Sequence, residues 1–191
     1  MVQIPQPNIS IQHHAWYTWA EIAIKHECLA RRAHDAKDIY EYRPGLVAIT
    51  SAAFALDALA GVARTLGIDA SAKRRGGEVA ERLKRGVMPQ KVSAEWPLSI
   101  VDLFRERKDA VHFQEASEAP VWHEGLGSSV DPNVLRWGAS GARVAVDLML
   151  EVLAGWADHP SARVAEWAER HRDGVRALEI LRNSCTGPES A

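Results

Sequence analysis

Residues 44–63 are apolar on nearly every side: Leu46, Val47, Ile49, Phe54, Leu56, Leu59 and Val62 are spread through a run otherwise made largely of small residues. A helix that is apolar all round has to be buried all round, so the rest of the chain must wrap it. The run is long enough to span a bilayer, but Asp57 stands at its centre, where a carboxylate is costly in lipid. It therefore reads as the central helix of a bundle, over 46–66, stopped at Gly67.

The periodicity elsewhere is helical too. Trp16, Trp19, Ala23, His26, Ala30 and Ala33 recur at three and four spacing and predict a helix over 11–39, broken by Tyr40-Glu41-Tyr42-Arg43-Pro44-Gly45. Lys73-Arg74-Arg75-Gly76-Gly77 reads as a solvated loop, followed by a short helix over 78–87. Ser93 is a candidate N-cap, and Trp96-Pro97 opens a helix carried by Leu98, Val101, Leu103, Phe104 and Val111. Residues 114–133 read as a long loop, which in a compact domain is functional or mobile. A fifth helix starts at Asp131-Pro132 and a sixth at Asp158-His159-Pro160-Ser161, reaching about residue 182. Trp16, Trp19, Trp137, Trp156 and Trp167 fall on these stripes and are expected in the core. No alternating β-branched run and no Asn-Gly or Asp-Gly hairpin signal appears. The expectation is an all-α fold, a helical bundle of five to six helices: an extended arm over 1–10, one helical domain over 11–183 and a flexible tail over 184–191.

Charge and cysteine usage narrow the function. A net charge of −2 at pH 7 gives no global basic field, so broad nucleic-acid binding is excluded while a local basic cleft is not. Cys28 and Cys185 form neither a zinc spacing nor a disulfide framework, and the first residues carry no signal-peptide pattern, which together predict a reducing, cytoplasmic setting. His13-His14 and the trio His26, Cys28 and His34 do not close a ligand set, so no metal and no cofactor are expected. Trp122-His123-Glu124 reads as a loop anchor, with a cover over a cleft as its functional alternative.

One stretch carries chemistry: Arg107-Lys108-Asp109-Ala110-Val111-His112-Phe113, at the end of an apolar helix. Its bland reading is a solvated Arg107 and a hydrogen-bonded helix-end His112. Its functional reading is a guanidinium and a titratable imidazole converging on an anion. The stretch resembles the R-x4-6-H signature of the HEPN superfamily. Thr50-Ser51-Ala52-Ala53-Phe54-Ala55-Leu56-Asp57 is similar to that family's small-residue helix bearing an acid, and the order of helices agrees over roughly 11–157.

The resemblance implies a HEPN-like bundle and a metal-independent endoribonuclease that pools an Arg107–His112 pair from each protomer of a homodimer. It further implies RNA as substrate, a toxin or defence role with an antitoxin or defence partner, and neither DNA nor membrane. In that reading Arg105, Lys108 and Asp109 support the site, and Asp57 either orients Arg105 or Arg107 or is a structural carboxylate. The residue after the arginine is often Asn in this superfamily and is Lys108 here. The alternative is a non-catalytic HEPN-like domain that binds RNA, a nucleotide or a protein partner.

Overall fold

The apolar run becomes the centre of a helical bundle. The computed structural model describes residues 12–86, 96–111, 119–123, 127–157 and 162–185. Among them are α1 (Gln12–Asp35), a 3-10 turn (Ile39–Glu41), α2 (Tyr42–Thr65), α3 (Arg75–Arg85), α4 (Trp96–Val111), α5 (Pro132–Arg136), α6 (Ala139–Ala157) and α7 (Ala162–Ser184), with strands β1 (Val121–His123) and β2 (Ser128–Val130) between α4 and α5. The architecture is an all-α helical bundle with one small hairpin. The arm over 1–10, Ser93 and the cap over 158–161 lie outside the described residues.

Helix α2 packs against α1, α3, α4 and α6. Its buried Ala48, Ala52, Ala53, Ala55, Ala60 and Ala63 let those neighbours approach closely, while Leu56 and Leu59 are sealed completely. This stretch is also the one among the described residues long and apolar enough to cross a membrane, and 61% of its most apolar window is buried inside the bundle. The helix starts earlier than its composition suggests. Pro44 falls in the first turn, where its missing N–H is no loss. Gly45 lets the helix touch the α5–α6 junction, since a Cβ there would lie 1.8 Å from the Trp137 carbonyl oxygen. At the far end Gly67 takes φ +83°. The Ile68 N–H donates to the Ala63 carbonyl and the Gly67 N–H to that of Arg64, both at 3.0 Å, closing the helix in a Schellman motif.

Four of the five tryptophans expected in the core are there: Trp16, Trp137, Trp156 and Trp167 are buried. Trp16, Trp156 and Trp167 join α1, α6 and α7 through tilted or edge-on rings 5.5–5.7 Å apart. Trp19 is a correction. It is 37% exposed and lies against the Phe54 ring at 4.9 Å.

Three further expectations are overturned. Arg75-Gly76-Gly77 is the first turn of α3, not a loop. The fifth helix is split at Trp137-Gly138 into α5 and α6. The loop after α4 contains an antiparallel hairpin pairing Val121 with Val130 and His123 with Ser128. A helix does open at Asp131-Pro132, and Asp131 caps it by accepting the Asn133 N–H at 2.8 Å.

The cysteines also correct the sequence reading. Cys28 of α1 and Cys185, just beyond α7, form a disulfide that closes a loop of 157 residues. Cross-linking so long a loop restricts the unfolded chain, so Cys28→Ser is expected to lower the unfolding free energy by about 2–4 kcal/mol. Urea titration of oxidised wild type against the variant measures this, and coincident curves would contradict it.

Burial also sets a pH dependence within α1. The His26 imidazole is held below its ordinary pKa by desolvation. A lowered folded value means that the unfolded chain binds the extra proton first. The stability tied to this group is therefore present above the unfolded value of about 6.5 and is lost as the pH falls through the lowered folded value. His26→Gln is expected to flatten the fall in urea midpoint below that pH.

Candidate functional site

Helix α4 presents two chemically different faces. Leu103 and Glu106 look toward α5 and α6, where a cavity of about 650 Å³ is also lined by Asp102, Arg136, Asp147 and Glu151. Four carboxylates against one guanidinium give this cavity the wrong sign for a phosphate backbone. The other face carries Phe104 and Arg107 toward α2 and α3.

Arg107 is half-buried, with its guanidinium carbon 4.5 Å above the centre of the Phe54 ring and 5.8 Å from that of Phe104. Stacking on ring faces holds the guanidinium plane while leaving N–H groups on its edge for an acceptor. The other α4 arginine is differently placed: Arg105 is paired with Asp102 at 2.9 Å. Arg107 has no carboxylate partner among the described residues. Beside it, a cavity of about 300 Å³ is lined by Trp19, Phe54, Asp57, Arg64 and Arg75. Rings and cations thus adjoin on one surface shared by α1, α2, α3 and α4.

The other sequence-derived residues divide. Asp57 does not orient Arg105 or Arg107; it is ion-paired with Arg75, which also reaches Glu78 at 3.2 Å. Asp109 sits one turn below Arg105 but is committed to Arg136 at 2.9 Å, where Glu106 joins it at 2.5 Å. Hydrogen bonding to Glu106 and the charge of both acids raise the Arg136 pKa, against the opposing effect of burial. Lys108 is exposed and makes no ion pair among the described residues. His112 lies outside the described residues; α4 ends one position before it, at an exposed Val111.

A second cluster escaped the sequence reading. Helix α1 ends in a Schellman motif with Lys37 at φ +56°, its N–H bound to the His34 carbonyl at 2.9 Å and that of Asp38 to Ala33 at 2.8 Å. This corner turns the chain back, so Glu41 at the end of the 3-10 turn returns to His34. The Glu41 Oε2 lies 2.6 Å from His34 Nδ1. From the hairpin, His123 brings Nε2 to 3.6 Å from Glu41 Oε1. Glu41 and His123 are buried, with 3% and 5% of their surfaces exposed. Seven residues and a turn separate the first pair, and the third partner comes from a distant hairpin, so no local spacing reveals the cluster.

In comparison with known proteins, no family model matches the chain, no curated protein matches it, and no solved structure matches it.

Proposed function

We propose that this chain is a metal-independent endoribonuclease of HEPN type, acting as a homodimer and as a toxin or defence component. The observation that carries the reading is Arg107. It is a half-buried guanidinium stacked on Phe54 and Phe104, without a carboxylate partner among the described residues, five positions before His112.

The chemistry follows from those two groups. The RNA 2′-hydroxyl attacks the adjacent phosphorus while the bond to the 5′-oxygen breaks, leaving a 2′,3′-cyclic phosphate and a 5′-hydroxyl. One His112 takes the proton of the attacking hydroxyl, and the other protomer's copy protonates the leaving oxygen. Arg107 meets the equatorial phosphate oxygens bidentately as their charge grows. The exposed Lys108 and Arg64 supply positive charge for the flanking backbone, Arg75 being neutralised by Asp57 and Glu78, and the exposed Trp19 ring offers a face for a base. An antitoxin or defence partner would cover this surface.

The test is cleavage of cellular RNA by purified protein, with and without EDTA, against His112→Ala. Cleavage in both buffers that disappears in the variant supports the reading. Intact RNA with the wild type, or equal cleavage by the variant, sinks it. A second reading, a HEPN-like domain that binds RNA, a nucleotide or a protein without turnover, is favoured by Lys108 after Arg107 and by the engagement of Asp109 with Arg136. Binding without cleavage, lost in Arg107→Ala, would select it.

A further inference from the structure

We propose that His34, Glu41 and His123 form a binding site for one divalent transition-metal ion, zinc in the first instance, and that the ion clamps the β1–β2 hairpin to the α1–α2 corner. The ligand atoms, His34 Nδ1, a Glu41 carboxylate oxygen and His123 Nε2, all lie within 4.8 Å of one another. In tetrahedral zinc sites, metal–ligand distances near 2 Å place neighbouring ligand atoms about 3.3 Å apart. His34 Nδ1 is 2.6 Å from one Glu41 oxygen and His123 Nε2 is 3.6 Å from the other, so side-chain rotations that bring both nitrogens to one ion would close the set.

The donor chemistry is specific. Two imidazoles and one carboxylate suit zinc and its neighbours in the first transition row, and they do not suit calcium or magnesium, which take oxygen ligands. Glu41 is a buried carboxylate whose two oxygens each face an imidazole, so its negative charge lies between the two ring nitrogens. All three stand on regular structure: His34 is on the last turn of α1, Glu41 ends the 3-10 turn and precedes α2 as its N-cap, and His123 pairs with Ser128 in the hairpin. The His34 side chain is 48% exposed, which leaves an entry path and a fourth position for water. Cys28 lies on the same helix, but its sulfur is in the disulfide and does not compete.

The site is separate from Arg107 and does not rest on the ribonuclease reading. The ion would hold β1 against the α1–α2 corner.

The experiment is calorimetric titration of the untagged, oxidised, metal-stripped full chain with zinc chloride, paired with cobalt(II) absorption spectra. One zinc per chain is expected, with visible cobalt bands of a low-coordinate nitrogen–oxygen site. His34→Gln and His123→Gln are each expected to weaken zinc binding by about 100-fold or more and to abolish the cobalt bands. Zinc should also raise the melting midpoint of the wild type and leave that of His34→Gln unmoved. Since His34 is half-exposed, His34→Gln keeps its fold and carries the test even if His123→Gln unfolds. The proposal is overturned if the wild type takes up no zinc, if His34→Gln binds as the wild type does, or if His13→Ala/His14→Ala removes the binding. Loss of RNA cleavage in His112→Ala with zinc binding intact would leave this site standing, and the converse would leave the ribonuclease reading standing.

Discussion

His112→Ala is expected to slow RNA cleavage by about 10²–10⁴-fold, the usual contribution of a positioned general acid or base. RNA affinity should change little, because the backbone is held by cations and stacking rather than by the imidazole. The measurement is single-turnover cleavage beside filter binding, which separates the chemical step from association. Arg107→Lys is the sharper companion. Lysine keeps the charge but loses the planar fork and the ring stacking on Phe54 and Phe104, so it should recover binding and little of the rate. Equal loss of binding and rate in both variants would move Arg107 from transition-state stabilisation to simple docking. A rate that Arg107→Lys leaves at the wild-type level would remove the need for a bidentate contact.

Glu27→Ala is expected to destabilise the fold by about 3–5 kcal/mol, a large share of the stability of a domain this size. Glu27 is wholly buried in α1 and lies 3.0 Å from Arg31 and 3.1 Å from Arg182 of α7. Arg182, 12% exposed, also reaches Asp147 of α6 at 3.2 Å. Burial raises the Glu27 pKa, and the two arginines act in the opposite direction. Truncating the carboxylate leaves two cations facing one another with little water. Replacing the more deeply buried pair, as Glu27→Leu with Arg182→Met, should recover part of the loss, because an apolar contact carries no charge to desolvate while the partly exposed Arg31 and the exposed Asp147 turn to water. Urea denaturation of the single and double variants checks both halves, and a Glu27→Ala variant as stable as wild type would show that the network contributes little.

The all-α bundle was legible because its evidence is periodic and long. The central run, the tryptophan stripes and the stop at Gly67 each repeat a local rule over several turns. What stayed hidden depends on close approach or on distant pairing. Gly76-Gly77 resembles a breaker, yet a Cβ on Gly76 would meet the Phe104 Cβ at 3.1 Å, so glycine there admits α4 rather than loosening the chain. Because α3 therefore begins at Arg75, that guanidinium reaches Asp57 and takes the place expected for Arg105 or Arg107. The hairpin strands are three residues each, too short to display alternation. Within the candidate site, the face of α4 that carries Arg107 follows from helical spacing, whereas its ring shelf needed the packing of Phe54 from α2. The His34–Glu41–His123 cluster depends on a chain reversal at Lys37 and a contact across more than eighty positions, neither of which leaves a motif.

The Cys28–Cys185 bond has a mechanical consequence. A pull applied to the two ends of the oxidised chain travels through the sulfur bridge and bypasses the 157-residue span between the cysteines. At about 3.4 Å per residue, roughly 500 Å of contour length is withheld from extension. A translocating unfoldase that grips the tail therefore meets a closed ring of polypeptide and must draw two strands through its pore at once. Reduction converts that ring to a line and lets the whole bundle be paid out in single file.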